Sequence, residues 1–206
     1  MKTKMKALAL ALCAVLLVVS TVFITMAFLT DKESVKNTFT FGQVGIKLDE
    51  ADVDVNGVEE EGKDRVQENE YHLIPGHKYV KDPTIHVDDN SENCLLFVKL
   101  ENGLQAIIAH ATLEEQMAGY GWTVIDDTNN IWAYDKVVAE NTDVCVFKEF
   151  KLADDADVSN YGNASIIVTA YAVQANGFVE NTDADASVSN ADAVNAWTKV
   201  ADSFGN

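Results

Sequence analysis

From residue 37 onward, apolar and polar side chains alternate along most of the chain, the period of half-buried β-strands. Alternation and short apolar runs predict strands over 37–48 (with a kink at Gly42), 79–87, 94–100, 122–125, 130–138, 144–152 and 164–174. Pro75-Gly76 has the composition of a type II turn, and Pro83 marks an edge or bulge position. Short strands separated by turn signals predict an antiparallel β-sandwich.

Two segments change from the strand period to helical spacing. Apolar residues recur at the interval of one helix face across 104–118, which predicts a short helix inserted between strands. A second helix is predicted over 189–204, with Asn190 as its N-cap. The pattern therefore predicts an all-β fold with an inserted short helix and a C-terminal helix, built as one domain over 28–206, with 179–206 as an acidic tail carrying the last helix.

The N-terminus has the pattern of an export signal. Residues 1–6 carry three lysines, and residues 7–29 carry no charge. The apolar run is also long enough to span a bilayer, so a cleaved signal and a retained anchor are the two alternatives. Ala27 and the residue two positions before it are small, as signal peptidase requires, which places cleavage between Ala27 and Phe28. We expect a signal peptide over 1–27 and a secreted mature chain.

Charge narrows the function classes. The 206 residues contain 15 Lys+Arg and 33 Asp+Glu, a formal net charge of −18. Nucleic-acid binding is disfavoured because phosphate recognition needs a basic face. Adhesion to anionic lipid through a polybasic patch is disfavoured for the same reason, so membrane contact is expected only through the N-terminal segment before cleavage. The hydrophobic content of 48% supports a packed core rather than a disordered chain.

Two cysteines remain after cleavage, Cys94 and Cys145. A pair in an exported protein is compatible with one disulfide, and strand residues of this type are equally typical of two separate buried thiols. The sequence leaves both alternatives open. Since no Cys-x-x-Cys occurs, a redox centre is not expected.

One segment matches part of a calcium-binding loop. Asp52, Asp54 and Asn56, followed by Gly57, occupy the first positions of the pattern D-x-D-x-N-G. Position twelve of that pattern requires a bidentate glutamate and is Lys63 here. We therefore favour a solvated acidic turn over a calcium site.

Three histidines, His72, His77 and His86, fall within a short segment, and three imidazoles can bind zinc. Side chains alternate between faces in a strand, and the Pro75-Gly76 turn separates the first two, so the spacing does not imply convergence. The sequence contains neither His-Glu-x-x-His nor Gly-x-Ser-x-Gly, nor a glycine-rich phosphate loop. We expect no enzymatic activity, no catalytic residue, no bound metal and no cofactor.

Three stretches together resemble the TasA/camelysin family of exported proteins of Gram-positive bacteria. The first runs from Ala27 to Asp31 and continues through 37–48, which is similar to the family's cleavage site and first strand. The third, 166–178, is similar to its closing strand. The second, 73–84, is similar to its Pro-Gly turn and Lys-Asp strand and contains the motif residues Pro75, Gly76, Lys81, Asp82 and Pro83.

The resemblance implies a jelly-roll-like β-sandwich, found in the extracellular matrix or at the cell surface, that assembles into biofilm-matrix fibres. It implies processing by the dedicated signal peptidase SipW and association with further copies of the chain and with other matrix proteins. The segment after the cleavage site, 28–37, would be a donor strand inserted into the next subunit through Phe28, Leu29 and Val35. This segment alternates poorly and carries three charges within 28–35, a departure from an ideal inserted strand.

Three functions therefore compete. The preferred prediction is a secreted structural subunit of fibres. The alternatives are a camelysin-like cell-surface metalloendopeptidase, which would use His72, His77 and His86, and a calcium-dependent surface adhesin, which would use Asp52, Asp54 and Asn56. No metal-protease motif supports the first alternative, so the resemblance is not extended to that activity.

Overall fold

A computed structural model of the chain describes residues 30–33, 44–109 and 112–204. Within them, two α-helices occur: α1, Leu113–Gly119, and α2, Asn190–Val200. Three short 3-10 helices span Gln105–Ile107, Val158–Asn160 and Ala201–Phe204. The strands of this part of the chain are β1 Thr30–Glu33, β2 Ile46–Asp49, β3 Lys78–Val80, β4 Thr84–Val87, β5 Cys94–Asn102, β6 Trp122–Asp126, β7 Ile131–Tyr134, β8 Asp143–Cys145, β9 Glu149–Lys151 and β10 Ile166–Gln174.

The strands form three antiparallel sheets. The largest has five strands in the order β1-β10-β5-β7-β6. The second has the order β2-β4-β8, and the third pairs β3 with β9. Every pairing between these strands is antiparallel, which confirms the predicted all-β, sandwich-like architecture. The jelly-roll connectivity stays a prediction.

The two longest strands, β5 and β10, pair along their whole length, from Cys94 opposite Gln174 to Asn102 opposite Ile166. Over 94–98 and 170–173, apolar residues do not alternate with polar ones because both faces of this part of the pair are buried. Leu96 and Val98 contribute to one core, and Leu95 and Phe97 contribute to another on the opposite face. A strand buried on both faces loses the period-two pattern, which explains the continuous apolar run over 94–98.

The first core unites residues of all three sheets. Buried side chains from the large sheet meet buried side chains from the two smaller sheets, as in a β-sandwich. Representative members are Ile46, Tyr79, Ile85, Leu96, Val98, Trp122, Val144, Phe150, Ala170 and Ala172.

The second core lies beneath α2, on the other face of the large sheet. Trp197 is its central side chain, with ring centroids 5.4 Å from Phe97, 5.2 Å from Tyr171 and 5.8 Å from Phe204. Ala193, Ala196 and Val200 complete the buried face of the helix. The last helix of the predicted acidic tail is thus a structural layer of the domain.

The helix predicted over 104–118 is wrong in its extent. A 3-10 turn, Gln105–Ile107, comes first, and α1 begins only at Leu113. The reason is a capping box at Thr112: its Oγ1 accepts a hydrogen bond from Glu115 N–H (3.3 Å), and the Glu115 carboxylate accepts one from Thr112 N–H (2.9 Å). This local signal starts a new helix where apolar spacing alone predicted a continuous one.

The predicted N-cap of the last helix, Asn190, is also wrong by one residue. Ser189 is the N-cap, since its Oγ accepts a hydrogen bond from Asp192 N–H (3.1 Å) and its backbone is extended. Serine and asparagine are both favourable N-caps, so N-cap propensity alone does not distinguish position 189 from position 190.

Two predicted strands are each divided between two sheets. The segment 79–87 contributes β3 to one sheet and β4 to another, and 144–152 contributes β8 and β9 in the same way. The two crossings lie side by side, with the Pro83 carbonyl accepting a hydrogen bond from Val146 N–H (2.9 Å). Pro83 lacks an N–H and therefore suits this break between strands.

The predicted first strand, 37–48, is observed from Ile46 to Asp49, and residues 34–43 lie outside the described part of the chain. The predicted strand 130–138 is shortened to β7, after which Lys136 and Val138 form isolated bridges. No helix within the described ranges is long and apolar enough to cross a membrane.

The aromatic contacts of α2 predict a large stability loss when they are removed. Trp197→Ala should lower the free energy of unfolding by about 3–5 kcal/mol, because it empties the centre of the second core. Val194→Ala on the exposed face of α2 is the matched control and should change it by less than about 0.5 kcal/mol. Urea titration followed by tryptophan fluorescence and circular dichroism measures both; equal effects of the two variants would contradict the two-core structure.

Candidate functional site

The segment predicted to be a donor strand lies in part at the edge of the large sheet. The backbone of Thr30–Glu33 pairs antiparallel with β10 of its own chain, from Thr30 opposite Val173 to Glu33 opposite Ala170. The predicted cleavage junction, Ala27 and Phe28, lies outside the described residues, as do the predicted donor residues Leu29 and Val35.

The strand beneath β1 is central to the fold. β10 pairs with β1 on one side and with β5 on the other. Its residues alternate between the two cores: Ala170 and Ala172 face the first, and Tyr171 and Val173 face the second. Removal of β1 would therefore leave an unpaired edge on a strand whose two faces are already buried, which is a template for the addition of another strand.

The Pro75-Gly76 motif forms the predicted type II turn. Gly76 has φ of +74°, and His77 N–H donates to the Ile74 carbonyl at 3.1 Å. The positive φ is the reason for glycine at this position, because a Cβ atom would meet only the movable carboxylate of Asp154, at 2.8 Å.

Lys81 of the resemblance motif belongs to a group of four side chains, Glu50, Asn69, Tyr71 and Lys81, called here the Lys81 cluster. Lys81 Nζ donates to Oε2 of Glu50 at 2.6 Å, and Asn69 Nδ2 donates to Oε1 of the same carboxylate at 2.8 Å. The Lys81 side chain is 11% exposed and that of Glu50 is 5% exposed. A buried charge of either sign requires a partner, and each supplies the other's.

Tyr71 covers one side of this cluster. Its hydroxyl donates to the Val80 carbonyl at 3.1 Å, and its ring centroid lies 6.0 Å from Lys81 Nζ. Burial, together with the negative charges of Glu50 and Asp82, raises the pKa of the Tyr71 hydroxyl, so it stays a neutral donor at physiological pH.

Asp82, the next motif residue, binds a separate set of partners. Its Oδ1 accepts a hydrogen bond from Ala51 N–H at 2.7 Å, and its Oδ2 accepts one from Arg65 Nη1 at 2.9 Å. Arg65 also donates to the carboxylate of Asp49 at the end of β2. Lys81 and Asp82 therefore hold the segment 49–70 against the two smaller sheets, which is a structural role for this part of the motif.

The calcium-like segment is a closed turn. Oδ1 of Asp54 accepts hydrogen bonds from the N–H groups of Asn56 (2.9 Å) and Val58 (3.0 Å), and Asn56 Nδ2 donates to Oδ2. The hydrogen bond from Val58 N–H is the main cause of the lowered pKa of Asp54. Its neighbour Asp52 accepts a backbone hydrogen bond from Glu60 through its carbonyl. The turn's own N–H groups thus use the carboxylate that calcium would need.

The three histidines do not converge. His77 Nε2 lies 2.8 Å from the Asn56 carbonyl, and the His72 side chain is exposed. His86 lies in the second sheet with Nδ1 2.7 Å from Asp143 Oδ1 and Nε2 2.9 Å from Asp49 Oδ1. In the described part of the chain, no group of three His, Cys, Asp or Glu side chains is placed to hold a metal ion.

The two cysteines are separate thiols in the structure, so the disulfide alternative is not the observed arrangement. Cys94 is fully buried at the start of β5, and burial raises the pKa of its thiol to about 12. Cys145 is partly buried in β8, and its Sγ–H donates to the Phe147 carbonyl at 3.1 Å. Cys94 and Cys145 lie in different sheets. The sequence shows only that two cysteines are present, and it does not show whether the fold brings them together.

Sequence reasoning missed the Lys81 cluster because Glu50 and Asn69 fall in 49–70, a segment rich in acidic residues and poor in apolar ones, whose composition is typical of a solvated loop. Glu50 is 4% exposed and forms a bridge with Val66. The available signal was the apolar residues flanking Glu50 in the sequence, Leu48, Ala51 and Val53, the last two of which are buried.

Comparison with known proteins gives no further identification. No protein-family model matches the chain, and no curated protein and no solved structure matches it either.

The contacts of His86 predict a pH-dependent stability. Burial lowers the pKa of its imidazole, but hydrogen bonds to Asp49 and Asp143 and the charges of these carboxylates outweigh that effect and raise the pKa above 6.5. The stabilisation by the imidazolium is therefore complete below pH 6.5 and is lost as the pH rises through the raised value. Lys47, opposite His86 on β2, and Arg65, bound to Asp49, are the other charges beside this group.

We expect His86→Gln to lower the free energy of unfolding at about pH 6 and to have a smaller effect at about pH 8.5. His72→Gln, at the exposed histidine, is the control and should leave the free energy of unfolding unchanged at both pH values. Urea titration at each pH measures the difference. A His86→Gln effect that is constant over this range would mean that the imidazole is not charged in the folded state.

Proposed function

We propose that the protein is a secreted structural subunit of extracellular fibres, assembled by strand exchange after removal of its N-terminal signal. In this proposal Thr30–Glu33, within the predicted donor segment 28–37, leave the edge of their own large sheet and pair with β10 of a neighbouring copy. Its supports are the export pattern over 1–27, the acidic, strand-rich chain that follows, and the resemblance to the TasA/camelysin family in three stretches. The finer expectations of that resemblance, jelly-roll connectivity and a biofilm matrix, belong to the same proposal.

The observation that carries the proposal is the pairing of Thr30–Glu33 with β10 in the same chain. An edge strand near the N-terminus can occupy the equivalent position on another copy with the same register and the same backbone hydrogen bonds. Exchange then re-forms the same contacts between two copies, as in domain swapping. It also supplies hydrogen-bond partners to the backbone groups of β10 that would otherwise be unpaired. Reciprocal exchange between two copies would close a dimer, whereas exchange that runs head-to-tail from copy to copy propagates as a filament, and the proposal is the second.

Signal removal would control this exchange. While the apolar segment 7–29 is held in the membrane, the residues that directly follow it cannot reach a neighbour's sheet. Cleavage frees them. The large negative charge sets a second control, since subunits of like charge repel one another and protonation of carboxylates reduces that repulsion.

The proposal predicts that fibre growth depends on the backbone of the N-terminal strand. The chain starting at Phe28 should form filaments, with faster growth in mild acid, and the double variant Asp31→Pro/Lys32→Pro should not. Adjacent N–H groups of a strand point to opposite sides, so two successive prolines remove at least one hydrogen bond to β10. Asp31→Ala/Lys32→Ala keeps both N–H groups, removes the same charges, and should assemble as the parent chain does.

Negative-stain electron microscopy and sedimentation velocity measure assembly, and circular dichroism verifies that each variant is folded. Filaments of equal length and number from the proline variant would exclude exchange of this strand. A parent chain that stays monomeric across concentration and pH would exclude the fibre function itself.

A further inference from the structure

A primary amine, a carboxylate and a primary amide meet in the Lys81 cluster. The two oxygens of Glu50 divide between them Lys81 Nζ at 2.6 Å and Asn69 Nδ2 at 2.8 Å. The amine and the amide are therefore held as neighbours by a single acid–base group. Glu50 and Lys81 are both largely withdrawn from water. This is the set of groups that an amide-exchange reaction requires: a nucleophile, an acyl donor and a proton carrier between them.

We propose that Lys81 and Asn69 form an intramolecular isopeptide bond, with Glu50 as the catalytic residue that transfers the protons. The bond would join the acidic segment 49–70 covalently to the residue that follows β3 and would enclose the Pro75-Gly76 turn in a ring. It is a modification of the folded chain by its own side chains, it needs no cofactor, and it stands independently of the proposed fibre function.

The reaction is balanced within the cluster. Glu50 accepts one proton from the Lys81 ammonium, and the free amine attacks Cγ of Asn69 to form a carbon–nitrogen bond. Glu50 then gives that proton to Nδ2, the bond between Cγ and Nδ2 breaks, and ammonia leaves. A further proton passes from Nζ to the departing ammonia, which leaves as ammonium, and Glu50 ends as a carboxylate. The chain becomes lighter by one ammonia molecule, without oxidation or reduction.

The surroundings of Asn69 favour attack at its amide carbon. Its Oδ1 accepts a hydrogen bond from the Val53 N–H at 3.0 Å, and this donor stays in place for the negative charge that develops on the oxygen in the tetrahedral adduct. Its Nδ2 also donates to the Ala51 carbonyl at 2.9 Å, which fixes the plane of the amide. The acyl donor is thus oriented before the reaction begins.

The surroundings of Lys81 direct its amine to Glu50. The side chain is largely buried beside the Tyr71 ring, and its Nζ lies 2.6 Å from Oε2 of Glu50. The nearby carboxylate of Asp82 does not compete for the amine, because Arg65 and Ala51 N–H occupy its oxygens. Proton transfer from Lys81 to Glu50 neutralises both groups in one step.

Peptide mapping of the full chain, produced in bacteria and purified, tests the proposal. Trypsin cleaves after Arg65, Lys78 and Lys99, and it does not cleave after a lysine whose amine is acylated. We expect the peptides 66–78 and 79–99 to appear as one branched species, lighter than their sum by one ammonia molecule. Tandem mass spectrometry should place the bond between Asn69 and Lys81.

Three variants assign the roles. Lys81→Arg keeps a cation beside Glu50 but removes the nucleophile, and Glu50→Gln keeps the hydrogen-bonding shape but removes the proton carrier. Both should yield three separate peptides, 66–78, 79–81 and 82–99, because trypsin then cleaves after position 81. Lys78→Arg changes the exposed lysine that pairs with Glu149 and should retain the branched species. Circular dichroism verifies that each variant folds.

The parent chain alone decides whether the bond forms, and the Glu50→Gln variant decides the role of Glu50. Separate peptides 66–78, 79–81 and 82–99 of unaltered mass would overturn the proposal, because cleavage after Lys81 requires a free amine. A lighter peptide 66–78 that is not joined to 79–99 would also overturn it, because that result indicates cyclisation of Asn69 on its own backbone. A branched species that persists in Glu50→Gln would overturn the catalytic role of Glu50.

Discussion

The fold depends on the pairing of β5 with β10. These two strands separate the two cores, and every other layer of the domain packs on one face of them or pairs with one of their edges. Burial on both faces makes the pair continuously hydrophobic over 94–98 and 170–173, in contrast to ordinary antiparallel sandwiches that leave one face to water. The smaller sheets cover one face, α2 covers the other, and β1 and β7 occupy the edges. An edge of such a pair is a place where another strand gains full backbone pairing against a surface that is already formed.

The second organising feature is polar. The Lys81 cluster and the Asp82–Arg65 pair fasten a segment with little apolar content to the smaller sheets. Such a segment cannot fold by burial of apolar surface, so its order depends on charges that are buried in pairs and on hydrogen bonds to backbone groups. The same arrangement that orders the segment brings an amine, a carboxylate and an amide together. The contacts that order this segment are therefore the same contacts on which the proposed bond depends.

Local chemistry was predictable where it acts over a few residues. The Pro75-Gly76 turn and the strands β5 and β10 follow from propensity and hydrophobic pattern, and the presence of both helices follows from apolar spacing. Their boundaries did not follow, because a capping box at Thr112 and a serine cap at Ser189 override the apolar period. The division of 79–87 and 144–152 between sheets was not predictable either. A proline such as Pro83 interrupts a strand pattern in the same way whether the chain continues in one sheet or passes to another.

The sequence by itself determined the fold class, because strand period and turn residues are encoded position by position. Only the tertiary structure decided which charges are buried. Glu50 and Lys81 are 31 residues apart, and nothing near either residue indicates the other. It also decided that the calcium-like turn satisfies its own carboxylate and that the histidines face different partners. The physical reason is the same in each case: the free energy of a polar group depends on what surrounds it in space, and distant segments supply those surroundings.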